Sequence, residues 1–557
     1  MFFLSRRSLS HLATCLVGML FLHFGTLAQS APTWQSARAI GTGSEYSPET
    51  AVDAAGNFYE VGTFFGTTTV GGTTLTSQGD RDGYVAKFTP TGILAWVRQL
   101  GAAEYEAVNG VAVDATGNVY ITGAFSNSLT LGNNLFLTGG AGPRKVFVIR
   151  YSPQGTPEWV QQGALITTAS SEGNSIGTDA NGNVYVTGLL GRTLTIGSTT
   201  IALTGTNPGS GTGAFLARFS SSTGVLQSLL PAFTYSSTTN TITYTDPKLA
   251  VAATGEVYLF NTIFQSIVFG STILTTRGQT DVVAAKYNAQ GTFMWARQFG
   301  GTSTDWLGNG AVDAAGNLYV AGEFVGPATF GTTTLPGYGS SDGFLVKCSA
   351  QGVVEWTQPS GGLGSDRHAA VKVDVAGNPY VIGGFNNTAQ LGPITLTSAG
   401  GYDAVVATYT PQGQLRWGQT AGGPGTDSGF SLGLDAVGNV YALGTFDSPC
   451  SFGSLTLTSP LISERFLARL GNGTLATQAR QAISVGLYPN PATTTVHLPN
   501  VPVGSRVQLL DAVGRIAHTT VVTAGATASL QGLIRGLYAV RATDAQGQQY
   551  TGRLIVE

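Results

Sequence analysis

The chain has 557 residues and a formal net charge of −3, and only 10% of its residues are charged, against about 25% in a typical soluble domain. The slightly negative charge excludes a basic surface for nucleic-acid binding. Glycine is abundant, at 78 residues, which is typical of a chain with many tight turns.

The N-terminus has the pattern of a secretory signal peptide over residues 1–28. Arg6 and Arg7 precede an apolar run, and Thr26 and Ala28 place small residues before a cleavage site. No later segment has the roughly 18–20 consecutive apolar residues that a membrane helix needs. We therefore expect an exported protein without a transmembrane segment.

One motif, Val-Asp-x-x-Gly-Asn-x-Tyr-x-x-Gly, recurs along most of the chain. Its aspartate occurs at Asp53, Asp114, Asp179, Asp313, Asp374 and Asp435. A degenerate copy between the third and fourth of these has Ala252 in the aspartate position, and successive copies are 61, 65, 73, 61, 61 and 61 residues apart. Such a period predicts an array of one structural unit. We number the repeats 1 to 7 in chain order, so that the degenerate copy is repeat 4.

Each repeat predicts four strands. Two short β-branched runs flank the Asp-x-x-Gly-Asn turn. A Thr/Gly-rich hairpin follows, then a third strand, and then a fourth strand that contains a tryptophan in five repeats: Trp96, Trp159, Trp295, Trp356 and Trp417. Four strands per repeat are typical of one blade of a β-propeller.

The ends of the repeat array predict how it closes. Repeat 7 ends near Leu470 without a tryptophan strand, and a spare one begins at Trp34. We predict that this strand completes repeat 7 and closes a seven-bladed ring over residues 32–470, which leaves only short edges unpaired. An open β-solenoid is the alternative. The repeat motif resembles the bacterial SBBP-type β-propeller repeat, and the resemblance covers Trp34–Leu470.

The C-terminal region has a different pattern. Residues 471–484 predict a polar linker, and the short strands of residues 485–557 predict a small Ig-like β-sandwich, so that the whole chain is all-β. The sandwich resembles the type A sorting domain of the type IX secretion system through Tyr488, Pro489, Asn490, Pro491, Asp511, Gly514 and Arg515. The resemblance implies the type IX machinery as a partner. It also implies export through the periplasm to the cell surface or the medium.

Residues that carry chemistry are scarce. After the signal peptide the histidines are His368, His497 and His518, which excludes a His-rich metal site. A Ser-His-Asp triad in the propeller would have to use His368. We predict no catalytic residues, and we expect Cys348 and Cys450 to be unpaired because they lie in different repeats.

Acidic residues recur eight positions before the repeat aspartate, at Glu45, Glu106, Asp305, Asp366 and Asp427. Acids also begin most third strands. Because the strands alternate in direction within a repeat, both sets of acids and the hairpins should lie on one face of the propeller. The Asp-x-x-Gly-Asn turns should lie on the opposite face. Each acid either caps its own loop through backbone N–H groups or helps to bind Ca²⁺, with Glu45, Glu106 and Asp427 as candidate ligands. Repetition in nearly every repeat favours capping, and no other cofactor is predicted.

Differences among the repeats are a better indicator of a site. Trp306, Arg367 and His368 depart from the pattern in neighbouring loops, beside Asp305 and Asp366, and these five are the candidate ligand-binding residues. We expect a monomeric, non-catalytic binding or structural module for an extracellular glycan or protein. The alternative is a glycoside hydrolase or polysaccharide lyase that uses carboxylates on this face, such as Asp305 and Asp366.

Overall fold

A computed structural model describes residues 31–42, 49–140, 142–164, 169–203, 212–236, 246–461, 463–471, 483–511, 515–544 and 549–557. Across those ranges the secondary structure consists of strands, and no helix is long and apolar enough to cross a membrane. The chain divides into two compact units, Met1–Gly471 and Asn472–Glu557. The signal peptide, Glu45 and Gly514 lie outside the described residues.

The first unit has the antiparallel four-stranded groups that the repeats predict. The strands of repeat 1 are Glu49–Val52, Phe58–Phe64, Asp82–Phe88 and Leu94–Leu100, and those of repeat 2 are Glu106–Val113, Val119–Phe125, Lys145–Tyr151 and Pro157–Ala164. The strands of repeat 3 are Glu172–Thr178, Asn183–Gly191, Thr212–Ser220 and Leu226–Ser236, and those of repeat 4 are Lys248–Val251, Val257–Ile263, Asp281–Tyr287 and Phe293–Gly301. The strands of repeat 5 are Asp305–Val312, Leu318–Phe324, Asp342–Cys348 and Val354–Gly362, and those of repeat 6 are Arg367–Val373, Pro379–Leu391, Ile394–Tyr409 and Leu415–Ala421. Repeat 7 itself supplies Ser428–Leu434, Val440–Phe446 and Glu464–Gly471.

The N-terminal strand completes the group of repeat 7, as predicted. Thr33–Gly41 pairs antiparallel with Glu464–Gly471, and Trp34 lies opposite Leu470. The first strands of successive repeats contact each other, and the first strand of repeat 7 contacts that of repeat 1. The array therefore returns to its start, which an open β-solenoid does not do, and the prediction of an all-β propeller is confirmed.

The hairpins connect neighbouring repeats, which the sequence did not indicate. The hairpins of repeats 3 to 6 pair with the fourth strand of the preceding repeat, as Thr193–Ile196 does with Gly163 and Ala164. The separate hairpin strands are Thr67–Val70 with Thr73–Thr76, Leu129–Gly132 with Leu135–Leu137, Thr193–Ile196 with Thr199–Ala202, Ser266–Phe269 with Thr272–Thr275, Ala328–Phe330 with Thr333–Leu335, and Cys450–Phe452 with Leu455–Leu457. In repeat 6 the hairpin is continuous with the second and third strands.

The repeat aspartate holds its own turn together. In repeat 2, Oδ1 of Asp114 accepts hydrogen bonds from the backbone N–H groups of Thr116 and Asn118, at 2.9 and 3.0 Å. Oδ2 accepts hydrogen bonds from Asn118 Nδ2 and from the Tyr120 hydroxyl, both at 2.8 Å. The other five aspartates make the same set of bonds. The motif is therefore a device of the fold.

Replacing Asp114 with alanine should lower the free energy of unfolding by about 2–4 kcal/mol, because several donors lose a charged acceptor at once. The protein should still fold, since repeat 4 has Ala252 at this position. Denaturant unfolding of Asp114→Ala measures the change. Ala115→Ser, at the neighbouring exposed position, is the control and should shift the free energy by less than about 0.5 kcal/mol. Equal stabilities for the two variants would contradict the role of Asp114.

The fourth-strand tryptophans link consecutive repeats. The indole N–H of Trp96 donates to the carbonyl of Pro153, at 3.1 Å, and Trp159, Trp295 and Trp356 bond the equivalent turn of the next repeat. Gly155, in the first of these turns, has a φ of 77°, and a Cβ atom there would lie 2.7 Å from the Trp96 ring. The tryptophan and the turn glycine therefore require each other.

The described residues of the second unit form seven short strands. They are Ile483–Ser484, Thr495–His497, Arg506–Leu510, Ile516–Val521, Thr527–Ser529, Gly536–Thr543 and Gln549–Val556. They form one five-stranded and one two-stranded sheet. Val496 of the smaller sheet and Val507, Val540 and Leu554 of the larger one share a single buried core.

Candidate binding site at the mouth of the central channel

The first strands of all seven repeats surround a central channel with a volume of about 340 Å³. At one end of the channel the starts of these strands line a second cavity of about 410 Å³, which we name the mouth cavity. Its aromatic and charged lining residues include Glu49, Asp246, Lys248, Trp306, Glu323 and Arg367. The loops between repeats open onto it, so the candidate site lies on the face that the sequence indicated.

Trp306 supplies the aromatic surface of the mouth cavity. It is the second residue of the strand Asp305–Val312 and lies opposite Glu323 on the neighbouring strand. The edge of its ring packs on Phe264, with the centroids 5.5 Å apart and the planes at 75°. The side chain is still 38% exposed, so one part of the indole is held in place and another is free to contact a ligand.

Glu323 and Arg367 place opposite charges near this ring. Burial raises the pKa of the Glu323 carboxyl, and the positive charge of Arg367 opposes that rise. Arg367 is exposed, and its Nη2 donates to Ser428 Oγ at 3.1 Å. The remaining N–H groups of the guanidinium extend the polar lining of the cavity.

An ion pair between repeats 1 and 4 connects opposite sides of the channel entrance. Lys248 Nζ contacts Glu49 Oε1, and both residues line the mouth cavity. Burial works against the charge on Lys248, but Glu49 and Asp246 hold the pKa of its ammonium above the ordinary value. Asp246 itself accepts a hydrogen bond from Asn174 Nδ2 at 2.8 Å. Glu49 lines both the mouth cavity and the channel, so this ion pair lies where the two meet.

His368 reaches the cavity wall but is itself buried, at 2% exposure. Its Nε2 lies 2.7 Å from Ser360 Oγ, and burial lowers the pKa of its imidazole to about 4, so the ring is neutral at physiological pH. Nδ1 has no hydrogen-bond partner among the described residues. No carboxylate therefore completes a triad with Ser360 and His368 in the part of the chain that the structure describes.

Asp305 and Asp366 do not line the mouth cavity, which corrects their expected role as ligand-binding residues. Oδ2 of Asp305 accepts a hydrogen bond from the N–H of Gly301 at 2.7 Å, and Oδ2 of Asp366 accepts one from Gly362 at 2.8 Å. Both side chains are almost completely buried. The physical reason is that each carboxylate accepts a hydrogen bond from the backbone N–H group four residues earlier, in the loop that leads into its own strand. The side chain therefore turns inward, away from the cavity.

The candidate Ca²⁺ ligands have the same role. Glu106 Oε2 accepts a hydrogen bond from the N–H of Ala102 at 2.7 Å, and Asp427 Oδ2 accepts one from Gly423 at 2.8 Å. Glu45 lies outside the described residues. Within the described ranges, no cluster of three or more His, Cys, Asp or Glu side chains could hold a metal ion. The capping interpretation therefore accounts for these acids.

The sorting motif organises the second unit. Asn490 Nδ2 donates to the carbonyl of Arg553 at 2.8 Å, and its Oδ1 accepts a hydrogen bond from the N–H of Ile555 at 2.9 Å. Arg515 bonds Asp511 through its backbone N–H and its side chain. Tyr488 stacks on His497 and remains half-exposed. Tyr488–Pro489 and Asn490–Pro491 are cis peptides. The motif residues thus fix the last strand and one turn.

Three residues of the site were missed from the sequence: Glu49, Lys248 and Glu323. Asp246 was recognised there as a slightly out-of-register member of the acidic set. A usable signal existed for two of the three missed residues. Four positions before the repeat aspartate, Glu49 and Lys248 carry charges, whereas the other repeats have uncharged residues there: Gly110, Ser175, Asn309, Ala370 and Ser431. An alignment of the repeats by this position would have shown both.

Two family models match the chain. A β-propeller repeat model, SBBP, matches residues 95–124 and 158–189, and a secretion system C-terminal sorting domain model matches residues 486–557. Among curated proteins, an uncharacterized WD repeat-containing protein of Acanthamoeba polyphaga mimivirus is 25% identical in an alignment of 458 residues that covers 68% of this chain and 32% of that protein. Regulatory protein FlaEY of Caulobacter vibrioides is 28% identical over 173 residues, 30% of this chain and 18% of that protein.

Among solved structures, BamB from Moraxella catarrhalis is similar at 12% identity and a TM-score of 0.35, over 79% of this chain and all of that one. A puromycin hydrolase is similar at 10% identity and a TM-score of 0.38, over 94% of this chain and 62% of that one. The match to each curated relative spans less than a third of that relative's length. The chain is a secreted or cell-surface protein made of SBBP β-propeller repeats followed by a C-terminal sorting domain of the type IX secretion system.

Proposed function

We propose that the exported protein is a non-catalytic binding module, a propeller closed as seven blades, whose mouth cavity holds a polar extracellular ligand. A saccharide is the leading class of ligand. The observation that carries this proposal is the partly exposed indole of Trp306 beside Glu323 and Arg367, in a cavity of about 410 Å³. A cavity with an aromatic wall and a few convergent polar groups is the usual form of a small-molecule site.

A saccharide matches the chemistry of this lining. The C–H face of a pyranose packs on an aromatic ring, and the ring of Trp306 is fixed by Phe264 and needs no ordering on binding. Sugar hydroxyls can donate to the carboxylate of Glu323 and accept from the guanidinium of Arg367. An acidic sugar would gain more, because Arg367 can bond a carboxylate with two parallel N–H groups.

The enzyme alternative has less support than binding. A glycosidase needs two carboxyl groups about 5–10 Å apart across a cleft. Asp305 and Asp366, the acids considered for that role, are buried and bonded to backbone N–H groups. Glu323 is the carboxyl of the cavity whose pKa is raised by burial. We propose that it accepts hydrogen bonds from the ligand.

A glycan array probed with the secreted protein, with and without Ca²⁺, tests the proposal. We expect a restricted set of glycans to bind and Trp306→Ala to weaken binding about 30-fold, since truncating an aromatic anchor costs about 2 kcal/mol. Phe136→Ala, at an exposed aromatic residue that does not line the cavity, is the control and should bind like the wild type. Turnover of any polysaccharide, or binding that survives Trp306→Ala, would contradict the proposal.

A further inference from the structure

One position inside the central channel departs from the repeat pattern. The residue two positions before the repeat aspartate, or before Ala252 in repeat 4, is small in six repeats: Ala51, Ala112, Gly177, Ala250, Ala311 and Gly433. In repeat 6 it is Lys372, which lines the channel. A single long cation therefore occurs in a ring of alanines and glycines.

The small residues are required by the close approach of neighbouring first strands. A Cβ atom on Gly177 would lie 2.8 Å from Val251 Cγ2 of the next repeat, and one on Gly433 would lie 2.1 Å from Val52 Cγ2. A lysine cannot insert its chain between repeats that approach this closely. We therefore conclude that the Lys372 side chain extends into the channel.

The charges around the channel leave Lys372 uncompensated. Among the described residues, Lys372 has no hydrogen bond or ion pair, and the acid that lines the channel, Glu49, is paired with Lys248. Burial lowers the pKa of the Lys372 ammonium, Glu49 raises it and Lys248 lowers it. Asp246, the other acid near Lys248, does not line the channel, so among the described residues the Lys372 ammonium has no carboxylate of its own there. Lys372 is partly buried, and an ammonium withdrawn from water without a partner is costly, so proteins normally pair it.

The rest of the channel suits a small anion. Among the described strands, each first strand pairs with its second strand only, so its other edge leaves backbone N–H and C=O groups unpaired on the channel side, and the N–H groups can donate to an anion. The side chains directly before the repeat aspartate, which also line the channel, are apolar in six of the seven repeats: Val52, Val113, Thr178, Val251, Val312, Val373 and Leu434. Low polarity around a charge strengthens its attraction for a counter-ion.

We propose that the central channel is a binding site for a small oxyanion, a phosphate, sulfate or short carboxylate, held by Lys372, with the Glu49–Lys248 ion pair at the end of the channel that meets the mouth cavity. The volume of about 340 Å³ accommodates such an ion with several waters. This site is distinct from the mouth cavity, and it does not depend on the proposed saccharide function.

Thermal unfolding and calorimetric titration of the full secreted protein, with sodium phosphate against sodium chloride at equal ionic strength, test the proposal. Phosphate should raise the unfolding midpoint of the wild type, because a ligand that binds only the folded state stabilises it. Lys372→Ala should bind phosphate at least tenfold more weakly. In chloride its midpoint should equal or exceed that of the wild type, since an unpaired and partly buried cation is removed.

Lys372→Ala is expected to fold because four other repeats have alanine at this position. Lys372→Met, which removes the charge and keeps the length of the side chain, provides a second measurement with the same expected loss. Lys145→Ala, at a lysine of repeat 2 that does not line the channel, should keep the response of the wild type. Equal stabilisation by chloride, or the same phosphate response in Lys372→Ala, would overturn the proposal. The glycan result for Trp306→Ala is independent of either outcome.

Discussion

Replacing Arg465 with methionine should lower the free energy of unfolding of the propeller by about 3–5 kcal/mol, because it leaves a buried carboxylate without its partner. Arg465 and Glu60 are 1% and 0% exposed, and Arg465 Nη1 contacts Glu60 Oε1. The hydroxyl of Tyr84 donates to the same carboxylate oxygen and accepts from Arg465. Burial lowers the pKa of the Arg465 guanidinium to about 10, so it stays charged at neutral pH.

This group lies where the ring closes. Glu60 and Tyr84 belong to repeat 1, and Arg465 belongs to the last third strand, 405 positions after Glu60. The residue seven positions after the repeat aspartate is apolar in the other repeats: Ile121, Val186, Leu259, Val320, Val381 and Ala442. The residues at the strand position of Arg465 are also small and apolar: Gly83, Val146, Ala214, Val282, Gly343 and Ala404. The charged pair therefore distinguishes the closing junction from the other six.

Denaturant unfolding measures the effect of Arg465→Met. The double variant Glu60→Leu with Arg465→Val, which uses residue types found at these positions in repeat 4, should recover most of the loss, because a buried ion pair can be replaced by apolar packing at little cost. Tyr84→Phe should cost about 1 kcal/mol, as the loss of one hydrogen bond. A change below about 0.5 kcal/mol for Arg465→Met, or a double variant less stable than the single one, would contradict this account.

The stability of the propeller should fall as the pH rises through about 6. Burial raises the pKa of Asp305, Asp366 and Asp427 from 3.8 to about 6, and repulsion from the acids Asp281, Asp342 and Asp403 adds to the rise. Burial also raises the pKa of those three neighbours. A raised folded-state pKa means that the folded protein binds the proton more tightly. The resulting stabilisation is fully present below pH 3.8, the pKa in the unfolded chain, and is lost as the pH rises through about 6, the pKa in the folded protein.

Groups with a lowered pKa act in the opposite direction. Burial lowers the pKa of the His368 imidazole from 6.5 to about 4, so its contribution is lost as the pH falls through that range and offsets part of the slope of the three acids. Asp114 acts in the same direction at lower pH. Although burial works against it, hydrogen bonds from Asn118, Thr116 and Tyr120 lower the pKa of Asp114, so its contribution is lost as the pH falls below 3.8. We expect maximal stability between about pH 4 and 5. Each of the three acids contributes a slope of at most about 1.4 kcal/mol per pH unit between its unfolded and folded pKa values.

Unfolding midpoints between pH 3.5 and 8 measure this dependence. In the triple variant Asp305→Asn, Asp366→Asn, Asp427→Asn, the dependence of the unfolding midpoint on pH should be flatter between pH 4.5 and 7. The amide oxygen of asparagine can still accept the hydrogen bond from the backbone N–H group, but the side chain does not titrate. Asp80→Asn, at an exposed aspartate just before the strand Asp82–Phe88, should keep the profile of the wild type. A wild-type stability that rises between pH 4.5 and 7 would rule out the raised pKa values.

The sequence by itself determined the parts of this protein that depend on local rules. Turn chemistry at Asp114 and its equivalents, the alternation of β-branched residues and the spare strand at Trp34 are all readable because each needs only a few consecutive residues or a count of strands. The sorting motif around Asn490 is short and continuous, so it was readable for the same reason. The face that carries the candidate site also followed from strand alternation alone.

Only the tertiary structure decided which side chains reach a cavity and which pair with each other. Asp305 and Trp306 are adjacent in sequence, yet successive residues of a strand point to opposite sides, so one caps a loop and the other faces the mouth cavity. Glu49 and Lys248 meet across the channel although 199 positions separate them, and no pattern within a repeat gives that distance. Such contacts arise because ring closure brings distant repeats together, and the geometry of the whole ring then determines the neighbours of each charge.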